Sequence, residues 1–173
     1  MADNIGHWNY EGEDFDPDDY FGFVYLISIR NSDGSYTRYI GKKQFHAYVK
    51  RKRGKQTKWR EYTSSSKHLN DLLERTGGTG TSYEILQLFE TRGGLVAGEC
   101  KVQWYLDVLT EKGDDDVPLY YNRQIGAVKF IPKEAITDET KARLDDLYRS
   151  GRVLIQGRGE GEEATETTGK EVG

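Results

Sequence analysis

Apolar and aromatic residues crowd Phe21 to Arg30 and return over Tyr36 to Ile40, with Asn31-Ser32-Asp33-Gly34-Ser35 between them. Runs rich in β-branched and aromatic residues predict strands. The turn chemistry between them, with Gly34 free to take a positive φ, joins the two as a β-hairpin. Leu69, Leu72 and Leu73 then fall at helical spacing over 67–75. Ser64, Ser65 and Ser66 stand before that segment as N-cap candidates, and Gly77 stands just past its end. Tyr83 to Phe89 reads as a third strand. Thr91 precedes a long predicted helix over 92–112, along which Leu95, Val96, Cys100, Trp104, Val108 and Leu109 recur. Gly93 and Gly94 weaken its first turn. Asp114 to Pro118 predicts a turn, and Tyr120-Tyr121-Asn122 leads to a last extended piece near 128–131. Thr137 caps a helix over 138–149, which Gly151 ends.

This order of elements predicts an α+β fold: a small, mainly antiparallel three-stranded sheet flanked by helices, with acidic flexible termini. Residues 1–19 are polar and aperiodic and read as a loose arm, and 20–131 form the main domain. Residues 132–156 are a helical appendage that packs on the sheet or contacts DNA, and 157–173, dominated by Gly, Glu and Thr, are a disordered acidic tail. No internal repeat is evident.

Composition narrows the function classes. A chain of 173 residues suits one ordinary domain with ragged ends. No apolar run approaches the ~20 residues of a membrane span. No basic-then-apolar signal layout opens the chain, and the single cysteine, Cys100, fits a reducing compartment, so a cytoplasmic protein is expected. His7, His46 and His68 are too scattered for a structural zinc site. An oxygen-ligated divalent ion remains as the expected metal.

The net charge of −4 hides three blocks. Residues 1–20 carry seven acids and no Lys or Arg. Residues 42–60 carry nine bases and no acid: Lys42, Lys43, Lys50, Arg51, Lys52, Arg53, Lys55, Lys58 and Arg60. After Gly157 the chain turns acidic again, with Glu160, Glu162, Glu163, Glu166 and Glu171. A phosphate backbone meets the local field and not the sum. The basic block follows the hairpin as a loop with a short helix near 48–53 and is interleaved with Tyr48, Trp59 and Tyr62. It reads as a nucleic-acid contact surface, against the blander readings of a solvated surface or a disordered arm.

The hairpin carries Gly22-Phe23-Val24-Tyr25 on its first strand and Tyr39-Ile40-Gly41 on its second. Here the chain resembles the GIY-YIG nuclease family, whose two signature tripeptides sit on paired strands. The second tripeptide matches in full. The first keeps its tyrosine, with Phe23 and Val24 in place of Gly and Ile, and thirteen residues separate Tyr25 from Tyr39. The family's order continues with a basic residue, a helix, a third strand, a helix with one glutamate, and an asparagine. The chain supplies the basic block, 67–75, 83–89, Glu99 and Asn122. The resemblance spans residues 21–122, and Trp59 to Leu69 is similar to phage-encoded members.

The resemblance implies a metal-dependent DNA endonuclease of phage or homing type, which in that case works in the host cytoplasm. It implies Mg²⁺ (or Mn²⁺) bound by Glu99, an ion that keeps waters and accepts phosphate oxygens. Tyr25 would take the proton from water, its pKa lowered from about 10 by nearby Lys and Arg charges. Tyr39 would hydrogen-bond the phosphate or that water, and Gly41 would admit a close backbone approach. Arg51 is the first choice for the family's arginine, Arg53 the second, with Lys43 a third cation. Tyr62 stands where the family often has a histidine or tyrosine, and Asn122 ties the site together by hydrogen bonds. Lys42, Lys50, Lys52, Arg53, Lys55, Lys58, Trp59 and Arg60 are the expected DNA contacts. The partner is DNA, and cutting both strands calls for a transient homodimer or sequential nicks.

Simpler readings stand beside these. Tyr25 and Tyr39 are ordinary strand aromatics in a chain of twelve tyrosines, Glu99 a solvated helix residue and Asn122 a turn residue. A catalytically silent DNA-binding module, or an RNA-binding or host-interaction protein, would carry the same pattern. The sequence shows no recognisable zinc finger, helix-turn-helix or other separate recognition domain, so specificity is expected to come from the compact domain itself or to be low.

Overall fold

The computed structural model describes residues 4–128, 130 and 133–156. In chain order the elements are β1 (Gly22–Arg30), β2 (Tyr36–Gln44), β3 (His46–Val49), β4 (Lys52–Gln56), a 3₁₀ turn (Trp59–Glu61), α1 (Lys67–Thr76), β5 (Thr81–Phe89), α2 (Arg92–Tyr105) and α3 (Asp138–Gln156). β1, β2 and β5 form an antiparallel sheet in the order β2–β1–β5, whereas β3 and β4 pair only with each other. The α+β class is as the sequence predicts.

β1 is central because nearly all of it is apolar: every residue from Gly22 to Ile29 is buried, and only Arg30 reaches solvent. Alternation along a strand sends its side chains to opposite faces. Val24 and Leu26 join Ile40, Leu86, Phe89, Leu95, Val102, Leu106 and Tyr120 in the core beneath α2. Phe23, Tyr25, Ile27 and Ile29 join Trp8, Phe45, Trp59, Leu69, Leu73 and Ile85 on the other side, an aromatic core closed by α1. One strand therefore feeds two cores.

The caps fall where the serines and glycines place them. Ser66 accepts the Leu69 amide to start α1, and Gly77, at φ 62°, ends it in the left-handed region. Thr91 caps α2 through the Gly94 amide, and Thr137 takes the Thr140 amide at the start of α3.

Four expectations need correction. The arm expected over 1–19 is anchored from residue 4 on: Trp8 is buried and its indole donates to the Trp59 carbonyl at 2.7 Å. The Asn9 backbone bonds to Tyr83 and Ile85 of β5, because Trp8 supplies enough apolar area to hold a segment whose acids face water. The basic loop is the β3–β4 ribbon, without the short helix. α2 stops at Tyr105, where Asp107 takes φ 48° and turns the chain, although Val108 and Leu109 continue the helical period. α3 packs on the sheet through the buried Leu144, one of its two expected roles, but Gly151 does not end it and it runs on to Gln156. The extended piece near 128–131 falls partly outside the described residues and forms no strand among those described, and the tail 157–173 lies outside them.

Candidate active site

The site is built around Gly41. In the β1–β2 register Tyr25 lies opposite Gly41 and Ile27 opposite Tyr39. Tyr25, Tyr39, Gly41 and Lys43 thus share the aromatic face, while Ile40 and Lys42 face α2. A Cβ at position 41 would run into the Tyr25 hydroxyl and ring, so glycine is what lets that hydroxyl reach the strand backbone.

Three tyrosines meet there. The Tyr25 ring centroid is 6.2 Å from that of Tyr39 and 6.1 Å from that of Tyr62, the latter edge to face. Tyr62 is delivered by the 3₁₀ turn, its amide bonded to the Trp59 carbonyl. The Tyr25 hydroxyl donates to Tyr62, which also pairs with Ser65. Ser65 Oγ lies 3.2 Å from the Tyr39 hydroxyl, so Tyr25, Tyr62, Ser65 and Tyr39 form one hydroxyl chain. Lys43 Nζ stands 4.1 Å from the centre of the Tyr62 ring.

Around the strand edge, Lys42 pairs with Glu99 of α2, whose side chain is 15% exposed. The backbone of Ile40, between these two groups of side chains, is held by side chains and not by another strand. Asn122 accepts the Ile40 amide at 2.9 Å and donates to its carbonyl at 2.8 Å. Gln103 donates to the same carbonyl at 3.3 Å. Asn122→Ala leaves that buried amide without its partner and is expected to cost about 1–3 kcal/mol. Urea denaturation checks it, and a loss below about 0.5 kcal/mol would assign the bonds no structural weight.

Electrostatics overturn one expectation. Burial pushes the Tyr25 hydroxyl well above its ordinary value, and Tyr62, Tyr39, the hydrogen bond to Tyr62 and Glu99 all push the same way. Burial also raises Tyr62, against hydrogen bonds from Tyr25 and Ser65 that pull it down, and it lowers Lys43. The lowering of Tyr25 by nearby Lys and Arg does not occur here: the hydroxyl is fully buried, and Lys42 is turned to Glu99 on the other side of the strand.

The predicted residues separate into two groups. Tyr25, Tyr39, Gly41, Lys42, Lys43, Tyr62, Glu99 and Asn122 come together. Arg51 and Arg53 do not: Arg51 sits in the β3–β4 turn at φ 65°, and Arg53 donates to the Asp18 carbonyl at 2.7 Å. Lys50, Lys52, Lys55 and Lys58 are exposed along the ribbon and after it. Arg60 lies on the Trp59 ring at 4.3 Å and bonds to the Asn4 carbonyl. Trp59 is fully buried among Phe23, Phe45 and Phe15, so it anchors its segment and is not among the DNA contacts expected of it. Sequence reading missed Ser65 and Gln103. The first was read only as a possible cap, whereas the second falls four residues after Glu99, on the same face of the helix.

Among the described residues no three His, Cys, Asp or Glu gather into a metal-binding group. Glu99 is a lone carboxylate, largely buried, and its charge is already met by an ammonium group. Such a position suits an oxygen-seeking cation that keeps most of its own waters.

No helix among the described residues is long and apolar enough to cross a membrane. No curated protein and no solved structure matches the chain. Residues 8–125 match the family described as "Putative endonuclease segE, GIY-YIG domain". That stretch runs from Trp8, whose indole closes the aromatic core, past Asn122, and takes in every residue of the hydroxyl cluster. Covering more than half of the sequence, the match establishes that the chain belongs to the SegE GIY-YIG family of endonuclease domains.

Proposed function

We propose that the chain is a divalent-metal-dependent DNA endonuclease, of phage or homing type, that hydrolyses phosphodiester bonds with Mg²⁺ or Mn²⁺. The observation that carries this reading is the gathering of three tyrosine hydroxyls, the Lys43 ammonium and the Glu99 carboxylate around Gly41. Glu99 would hold the ion, releasing Lys42. Bound there, the ion would supply a clamp on phosphate oxygens and a charge that favours deprotonation of nearby hydroxyls.

The chain's own groups account for the rest. Lys43 and the Tyr39 hydroxyl bind the phosphate. Tyr62, the half-buried outer member, takes up the proton of the attacking water in its phenolate form, and Tyr25, buried and protonated, steadies that phenolate through the hydrogen bond it donates to Tyr62. Asn122 and Gln103 hold the Ile40 backbone, and with it the position of Gly41. The described residues hold one such cluster, so a double-strand break takes two nicks or two chains on the DNA.

Nicking of supercoiled plasmid by the purified chain, with Mg²⁺ and with EDTA, tests the reading. Tyr25→Phe removes one hydroxyl and is expected to slow Mg²⁺-dependent nicking about 10²–10⁴-fold. A parent chain that never nicks, with either ion, would favour a silent DNA-binding module. The Lys42–Glu99 pair, which occupies the metal-binding carboxylate, is the observation on that side.

A further inference from the structure

The β3–β4 ribbon stands outside the three-stranded sheet, and only its base is held. His46 is buried with its Nε2 2.8 Å from Asp18 Oδ1, and Arg53 binds the Asp18 carbonyl. The Tyr48 ring stacks on Phe21 at 4.8 Å, and Thr57 bonds through its amide to Phe45 and through its hydroxyl to Gln44. Beyond that base the ribbon is bare. Every residue of β4 is exposed, and Val49, at the end of β3, is 68% exposed.

The tip is not made for stability. Lys50 and Arg51 both take positive φ, 48° and 65°, in a turn that favours Asn-Gly. Long side chains there are strained, and a lone chain gains nothing from an apolar valine held in water beside them. Strain at an exposed tip crowded with bases points to a ligand that rewards it.

We propose that this ribbon enters the major groove of duplex DNA and reads base edges with Arg51 and Val49, while Lys52, Lys55 and Lys58 hold the flanking phosphates. The inference rests on the DNA-endonuclease reading above and supplies that reading with its specificity element. A two-stranded ribbon fits a major groove about 12 Å wide, not a minor groove of about 6 Å. Arginine pairs with the O6 and N7 of guanine, and an apolar side chain meets the thymine methyl. Lysines on the stem fix the register without reading sequence. Arg51 lies ten positions along the chain from Gly41. At no more than about 3.6 Å per residue, the tip reads within about one helical turn of the bond that is cut.

Methylation interference tests the assignment. A pool of random duplexes, first enriched on the parent chain without divalent ions, is treated with dimethyl sulfate. The reagent marks guanine N7 in the major groove and adenine N3 in the minor. The expected result is loss of N7-methylguanine from the fraction bound by the parent. Val49→Ala/Arg51→Ala, at exposed positions whose folding circular dichroism verifies, should lose that discrimination and bind about 10-fold more weakly or worse. Loss of N3-methyladenine instead, or an N7 pattern unchanged in the variant, overturns the ribbon's role and leaves the nuclease reading standing. Competition by double-stranded RNA as strong as by DNA also overturns it, since the narrow A-form major groove admits no ribbon. Failure of the parent to hold any duplex would sink the endonuclease reading itself.

Discussion

Glu99→Gln is expected to abolish Mg²⁺-dependent cleavage while leaving the fold intact. The substitution keeps size and removes the charge that should hold the ion. A bound metal contributes several kcal/mol of transition-state stabilisation, so the rate should fall by about 10³-fold or more. Lys42 is 38% exposed and can turn its ammonium to water once its partner is neutral, so little stability is lost. Metal binding, followed by calorimetry with Mg²⁺ alone, should weaken in parallel. A variant that nicks at the parental rate would place the metal, and the chemistry, elsewhere.

Trp8→Ala is expected to cost about 3–5 kcal/mol, a large part of the roughly 5–15 kcal/mol that a domain of this size commands. The indole lies against Phe23 and Tyr25 at 5.0 and 5.1 Å, and its N–H is bonded to the Trp59 carbonyl. Its removal opens the aromatic core and takes from that carbonyl the nearer of its two donors, leaving the Tyr62 amide at 3.3 Å. Because the cavity adjoins Tyr25, activity should fall even at temperatures where the variant is folded. Denaturant unfolding measures the first effect. A loss under about 1 kcal/mol, no more than an ordinary substitution, would return residues 4–19 to the status of a loose arm.

That expectation of a loose arm shows where sequence reading stops. The β1–β2 hairpin was legible because its apolar runs and the Asn-Ser-Asp-Gly turn agree, and the caps at Ser66, Gly77 and Thr91 are local signals. Trp8 and Phe15 sit among seven acids, and nothing local says that they meet Trp59. The ribbon looks like a loop in the sequence because its residues are almost all polar and its turn lacks Asn-Gly. The sequence overstates the length of α2 because Asp107, and not Gly or Pro, turns the chain.

The site shows the same division. Tyr25, Tyr39 and Glu99 were found through the resemblance, and pairing of the two motif strands is enough to bring the tyrosines together. The Lys42–Glu99 pair depends on which face of β2 looks toward α2, which becomes visible only once the register is known. Sequence order alone points to Arg51 and Arg53, and the ribbon carries both away from the cluster. The raised pKa of Tyr25 follows from burial, a property of the assembled core.

Asn122 and Asn9 have a consequence for how two copies of the chain could meet. An outer strand with free amides and carbonyls invites another chain to pair with it. On the β2 side, Leu119 and Tyr121 bond to the Arg38 backbone and the Asn122 carboxamide occupies Ile40. On the β5 side, the Asn9 backbone occupies Tyr83 and Ile85. Both rims of the sheet are blunted by irregular chain at mid-strand. Two copies acting together on DNA would therefore meet through side chains or through the DNA itself, not by joining their sheets into one.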